Sequence, residues 1–265
     1  MQRPQSDLPV ATRVPKVARG FVRSALASLG FKLVPIQGSV PFQVEDAEFH
    51  ALHSKCKPYT MTSSERLYAL YQGTKYVAQR NIPGAFVECG VWRGGSAMMM
   101  AEELLACGCS DRDIYLYDTF QGMPEPGEKD VSYRGKPARE SWLKQRTETH
   151  NEWCYAPLDE VRKNLLSTTY PVDRLRLVQG KVEDTIPKTI PDQIALLRLD
   201  TDWFASTYHE LTHLFPRLMT GGVLIIDDYG HWRGAREATD RYFEEAKTPV
   251  LLQRIDHTGR LLIKV

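Results

Sequence analysis

The stretch Ala85-Phe86-Val87-Glu88-Cys89-Gly90-Val91-Trp92-Arg93-Gly94-Gly95-Ser96 constrains the fold more than any other part of the chain. A short apolar run that ends on a carboxylate reads as a buried strand. Gly90, Gly94 and Gly95 then cross a tight turn, and a segment of good helix formers opens at Gly95-Ser96 and runs on through Leu105. Strand, glycine loop and helix N-terminus in that order make the nucleotide-binding corner of a doubly wound sheet, where glycines let the backbone approach a ligand with no Cβ in the way. The spacing is not the G-x-G-x-x-G of a dinucleotide site, because Val91-Trp92-Arg93 separate Gly90 from the next glycine. A tight strand-to-helix turn in any α/β protein would use the same residues, so the glycines alone name no ligand.

The rest of the chain alternates strand and helix patterns. Ile114–Asp118 reads as a second strand, and its terminal Asp118 lies far enough past the glycine loop to accept hydrogen bonds from ribose hydroxyls. Leu175–Gln179 gives a third strand, followed by the turn Gly180-Lys181-Val182. Ile194–Leu199 is an almost uninterrupted apolar run, as expected of a central parallel strand, and it ends in Asp200-Thr201-Asp202. A helix is expected from about Ser206 to Met219, ended by Gly221-Gly222. Val223–Ile226 is the next buried strand and ends in Asp227-Asp228, residues 234–246 read as helix, and the apolar runs on either side of Asp256-His257-Thr258-Gly259 read as an antiparallel hairpin. The expected fold is therefore α/β, a Rossmann-like doubly wound sheet, mostly parallel, with an antiparallel C-terminal edge strand. Residues 119–170 are polar and turn-rich, with Trp142, Trp153 and Tyr155 but no clean strand, and an insertion of that length is expected to be a functional lid.

Composition narrows the class. A formal net charge of +1 over 265 residues provides no global basic field, so nucleic acid is not the expected partner. The five cysteines show no C-x-x-C spacing and read as reduced thiols. No apolar run approaches a membrane span and the N-terminus lacks a signal-peptide core, so a cytoplasmic protein is expected. Pro4, Pro9 and Pro15 mark an extended or disordered arm, and Lys16–Leu33 is loosely amphipathic. That segment reads as a peripheral helix packed on its own domain or on a second subunit, with a membrane-surface helix as the alternative. Two parts are expected, an N-terminal extension over 1–57 and the sheet domain over 58–265, in a homo-oligomer. Ser63 or Ser64 can cap a helix through Val77, but a cap does not explain Tyr59-Thr60-Met61 just before it.

Four aspartates carry the chemistry. Asp200 and Asp227 each end an apolar strand, one crossover helix separates those strands, and right-handed connection brings both carboxylates to the same edge. Ligands of open α/β sheets bind at that edge. Carboxylates packed together oppose one another's ionisation unless a cation lies between them. A set of carboxylates without thiolate or histidine suits a hard divalent ion such as Mg²⁺.

A strand ending in Glu-x-Gly-x-x-x-Gly resembles the corner of S-adenosylmethionine (SAM) methyltransferases. Taken with Tyr117-Asp118-Thr119-Phe120-Gln121-Gly122-Met123-Pro124, Leu199-Asp200-Thr201-Asp202 and Ile226-Asp227-Asp228-Tyr229-Gly230, the chain resembles the TylF/MycF/NovP family, SAM- and Mg²⁺-dependent O-methyltransferases of sugar hydroxyls, over about residues 58–265. The resemblance implies a class I SAM-dependent methyltransferase fold and a carbohydrate-type acceptor. It implies metal ligands at Asp200, Asp227 and Asp228, and a general base at Asp202. Cofactor contacts are implied at Thr60, Met61, Glu88, Gly90, Ser96, Asp118, Gly180, Lys181 and Val182. His209 and His231 are the rival bases. A catechol or phenol acceptor, a non-catalytic partner subunit and a metal-dependent hydrolase are the competing readings, the last leaving the glycine corner and Asp118 without a role.

Overall fold

A computed structural model describes residues 44–265. The proline-rich arm and the amphipathic segment Lys16–Leu33 lie outside the described residues. The described chain opens with α1 (Ala47–Cys56), a 3₁₀ turn at Lys57–Tyr59 and α2 (Ser64–Gln79). Ser63 is the cap of α2, its side chain accepting the Arg66 N–H at 3.1 Å, as a serine before an amphipathic run should.

The sheet follows: β1 (Ala85–Cys89), α3 (Gly95–Ala106), β2 (Ile114–Asp118), β3 (Leu175–Gln179), β4 (Ile194–Leu199) and β5 (Leu218–Ile226), closed by β6 (Gln253–Arg254) and β7 (Arg260–Ile263). Between β2 and β3 lie α4 (Ala138–Gln145) and α5 (Leu158–Leu166), and the short α6 (Val182–Thr185), α7 (Phe204–Leu214) and α8 (Arg233–Glu245) complete the set. Strand order is β3-β2-β1-β4-β5-β7-β6, with β1 to β5 parallel and β7 antiparallel to both its neighbours. The order reverses between β1 and β4, and their carboxyl ends carry Gly90 and Asp200. This crevice is the topological switch point, where open α/β sheets bind ligands.

Two expectations shift. The antiparallel strand β7 lies one place in from the edge, and the two-residue β6 is the edge itself. The crossover helix ends at Leu214, because Phe215-Pro216-Arg217 forms a 3₁₀ turn and β5 already begins at Leu218. Gly221-Gly222 therefore sits inside β5, beside a register shift against β4.

β1 and β4 are buried along their whole length, as strands covered on both faces must be. One face packs Val87, Cys89, Leu197, Leu199, Leu224 and Ile226 against Leu211 and Leu214 of α7 and Phe243 of α8. Alternation sends Glu88 and Arg198 to the opposite face, and the two are register partners. β4 is thus an apolar strand with one charged residue at its heart.

Candidate active site

The glycine corner is shaped by what packs onto it. Gly90 has φ 85°, and a Cβ there would overlap the carbonyl oxygen of Asp200. The Asp200 N–H donates to the Cys89 carbonyl at 2.8 Å, so the loop ending β4 lies directly on the loop ending β1. At Gly95 a Cβ would stand 2.6 Å from the carbonyl carbon of Tyr59, which brings the Lys57–Tyr59 turn onto the start of α3. Arg93 reinforces that contact, stacking over the Tyr59 ring and donating to the Pro58 carbonyl at 3.2 Å. Thr60 and Met61, half-buried, follow that turn, and Thr60 Oγ1 accepts the Thr62 N–H at 3.1 Å. Ser96 is buried in the first turn of α3.

Asp118 closes the corner from β2. Its Oδ2 accepts the Val91 and Trp92 N–H groups at 2.7 and 3.1 Å, and its Oδ1 accepts the Phe120 N–H at 2.8 Å. Burial raises its carboxyl above the ordinary range against the pull of these donors. The Gly180 N–H reaches the Asp118 carbonyl at 2.9 Å and brings the β3 loop alongside; there Lys181 is exposed and Val182 buried. Gly90, Asp118 and Gly180 are thus brought close together.

Glu88, implied as a cofactor contact, meets an arginine instead of the loop. Its side chain is 0% exposed and accepts from Arg198 Nη1 at 2.6 Å, and that nitrogen also lies 3.0 Å from Asp200 Oδ2. Burial pushes its carboxyl up to about 8 despite the guanidinium.

Asp200, Asp202 and Asp228 each turn one carboxylate oxygen toward a common point, and these oxygens lie within 4.8 Å of one another. Asp202 and Asp228 are buried. Asp202 reaches the cluster on a backbone of φ 69°, a left-handed conformation that aspartate tolerates better than most residues. Three oxygen donors at that spacing, with no sulfur or imidazole among them, fit a hard divalent cation.

Of the residues implied as metal ligands, Asp200 and Asp228 lie in this group together with Asp202, and Asp227 lies beside it. Asp227 is buried with Arg66 Nη1 bound to its Oδ2 and Arg198 Nη2 donating to its Oδ1 at 2.6 Å. Each of its oxygens meets a guanidinium group, and the third acid within 4.8 Å of Asp200 and Asp228 is Asp202. The pairing belongs to a longer buried chain. Arg198 Nη2 also donates to Thr62 Oγ1 at 2.9 Å, and its Nη1 lies 3.0 Å from Asp200 Oδ2. Arg66 Nε donates to Asp256 Oδ2 at 3.0 Å, Ser63 Oγ donates to the same oxygen at 2.8 Å, and Thr258 Oγ1 donates to the Asp227 carbonyl at 2.7 Å. One signal for this network stands in the sequence: a lone arginine inside a buried apolar strand requires a buried counter-charge. Arg66 and Asp256, far apart along the chain, carry no such signal.

Of the rival bases, His209 Nε2 lies 2.9 Å from the Ile186 carbonyl, away from the cluster, whereas the His231 N–H caps the Asp228 carbonyl at 3.0 Å.

The insertion after β2 docks on the helices that follow both acidic strand ends. Asp130 Oδ1 accepts the Phe204 N–H at 2.8 Å, and a side chain on Gly234 would overlap Asp130. Trp203 Nε1 donates to the Pro124 carbonyl at 3.0 Å, and Trp153, Trp203 and Trp232 meet ring against ring. The expected lid is built from helices α4 and α5 and isolated bridges, with no strand of its own.

Comparison with known proteins gives a consistent picture. The family described as macrocin O-methyltransferase (TylF) matches residues 45–264. Demethyldecarbamoylnovobiocin O-methyltransferase of Streptomyces niveus is 34% identical over 201 residues, covering 76% of this chain and 74% of that protein. A tetracenomycin-C rhamnosyl 4'-O-methyltransferase of Streptomyces olivaceus is 33% identical over 241 residues, covering 90% and 89%. Mycinamicin III 3''-O-methyltransferase of Micromonospora griseorubida is 30% identical over 203 residues, covering 76% of each. Among solved structures, the O-methyltransferase NovP superposes with a TM-score of 0.70 at 33% identity, covering 78% of this chain and 82% of that one.

Proposed function

The chain belongs to the macrocin O-methyltransferase family and is an O-methyltransferase, and from that premise we propose that it moves the methyl group of SAM to a hydroxyl of a sugar carried by a natural product, with Mg²⁺ at the acidic strand ends. The observation that carries this reading is the contact of Gly90 with the Asp200 backbone. It sets the cradle for a methyl donor directly against the carboxylate cluster, the juxtaposition that in-line transfer between two bound molecules requires. The named acceptors of the relatives, which bear novobiocin, rhamnosyl and mycinamicin groups, support a glycosylated acceptor.

SAM is taken at the corner. Val91, Trp92 and Phe120 hold the Asp118 carboxylate where it can accept from ribose hydroxyls, and Gly90 leaves room for the backbone to approach. Ser96, Thr60, Met61 and the Gly180-Lys181-Val182 turn are assigned the remaining cofactor contacts, as the resemblance implies.

An alcohol is a poor nucleophile at neutral pH, so the protein's task is to ease removal of its proton. Asp200, Asp202 and Asp228 would hold Mg²⁺, whose positive charge stabilises developing alkoxide. Asp202 has two oxygens, and one suffices for the cluster. The other acts as general base toward the acceptor hydroxyl, as the resemblance implies. Trp203 and Trp232 are buried against each other and fasten the insertion, rather than offering an open stacking face, which favours a sugar over a phenol. The insertion over 119–170 stands beside the cleft and excludes water from it.

Isothermal calorimetry with SAM, followed by labelled-methyl transfer to a panel of glycosides and catechols with and without EDTA, tests the reading. Stoichiometric SAM binding and EDTA-sensitive labelling of a glycoside are expected. Full activity in EDTA overturns the metal role, and exclusive labelling of catechols overturns the acceptor class.

A further inference from the structure

Glu210 is a buried carboxyl group to which the proposed reaction gives no task. It lies two turns into α7, is 0% exposed, and faces the sheet with the Cys89 thiol beside it. An apolar residue would pack into that position at less cost, since a buried carboxyl must find its hydrogen bonds inside the protein. Its Oε1 accepts a hydrogen bond from Thr201 Oγ1 at 2.9 Å.

Thr201 stands between Asp200 and Asp202, at the turn where Asp202 holds φ 69°. Left-handed backbone at a non-glycine residue persists only when its surroundings over-determine it. Around this turn the Asp200 N–H is held by the Cys89 carbonyl, the Trp203 N–H by the Thr201 carbonyl at 2.8 Å, and the Trp203 indole by the Pro124 carbonyl. The Thr201 carbonyl also accepts from Ser206 Oγ of α7 at 3.5 Å. The Thr201 hydroxyl adds the shorter tie to α7, through Glu210.

We propose that Glu210 is a positioning residue that, through Thr201 Oγ1, holds the Asp200–Asp202 turn so that both carboxylates face Asp228. The proposal rests on the reading of that cluster as the acidic half of the active site, and it acts on backbone geometry, not on charge delivered to the acceptor.

The test compares Glu210→Gln, which keeps an acceptor for the threonine, with Glu210→Leu, and Thr201→Ser with Thr201→Val, all in the full chain. Amide hydrogen exchange across residues 199–204 is the first readout. Glu210→Leu and Thr201→Val are expected to speed exchange there at least tenfold while leaving β1, β2 and α3 unchanged, and Glu210→Gln and Thr201→Ser stay within twofold of wild type. Tb³⁺ titration with tryptophan excitation is the second readout, because Trp203 adjoins Asp202. The Leu and Val variants are expected to need at least tenfold more Tb³⁺ for half-saturation, with SAM affinity unchanged. Wild-type protein that binds no Tb³⁺ would overturn the metal reading alone, and exchange then decides the positioning role. Leu and Val variants that match wild type in local exchange overturn it, as does a Gln variant as fast as Leu. If Glu210→Leu fails to fold, the exchange rates of the Thr201 pair decide.

Discussion

Asp227 and Asp228 are neighbours at the end of one strand, yet they belong to different parts of the molecule. Asp227 is locked between Arg66 and Arg198 on the α2 side of the sheet, and Asp228 turns into the cluster with Asp200 and Asp202. Past the last residue of β5 the chain bends, and here the two adjacent carboxylates meet different partners, two arginines for Asp227 and the acidic cluster for Asp228. Asp200 and Asp202, two residues apart with Asp202 at φ 69°, both face that cluster. The comparison separates two settings that composition merges: one carboxylate is paired with two arginines, and the other joins the acidic cluster.

Substitutions at these positions should come apart accordingly. The largest effect is expected for Asp202→Asn, with kcat falling by about 10²–10⁴ if it acts as general base, while SAM binding measured by calorimetry stays within a few-fold. A variant near wild-type activity would break the assignment. Asp227→Asn should instead act on stability, since removing one partner of a buried pair costs about 3–5 kcal/mol. Urea unfolding is expected to show that loss for Asp227→Asn and much less for Asp228→Asn. The reverse ranking, with Tb³⁺ binding lost in Asp227→Asn, would return Asp227 to the metal set.

A smaller effect sharpens the same division through pH. Glu88, Asp200, Asp227 and Asp256 surround two arginines, and burial pushes the Glu88 carboxyl up to about 8. A carboxyl raised in the folded state binds its proton more tightly there than in the unfolded chain, so its contribution is fully present below its ordinary value near 4.5 and is lost as pH rises through about 8. Asp256, where the opposing effect of burial is outweighed by Arg66 and backbone donors, is held below its ordinary value and works in the opposite direction at acid pH. Urea midpoints recorded from pH 5 to 9 should fall more steeply for wild type than for Glu88→Gln, which carries no charge at any of these values. Parallel slopes for the two proteins would show that Glu88 stays ionised against Arg198.

The sheet itself is legible from residue pattern. Apolar runs that end in acids, glycines that follow β1, and a serine before α2 are local signals, and each governs the few residues around it. The end of α7 is not legible in that way: Gly221-Gly222 resembles a helix stop, whereas Phe215-Pro216 has already ended the helix and the glycines enter β5. The position of β7 beside β5 is likewise beyond local reading, since strand order is set by long-range pairing.

The candidate site divides in the same way. The identity of its acids and glycines came from the sequence, because carboxylates at strand ends and glycines in tight turns are chemical requirements visible in one dimension. Which acids converge did not. That depended on which face each side chain took at the strand end, on the left-handed turn at Asp202, and on where Arg66 and Asp256, 190 residues apart, met Asp227. Glu88 shows the point most directly: its position at a strand end is visible in the sequence, whereas its arginine partner, in register on the next strand, is not. A polar or charged group buried in a sheet must be satisfied by whatever the fold brings next to it, and only the tertiary structure decides what that is.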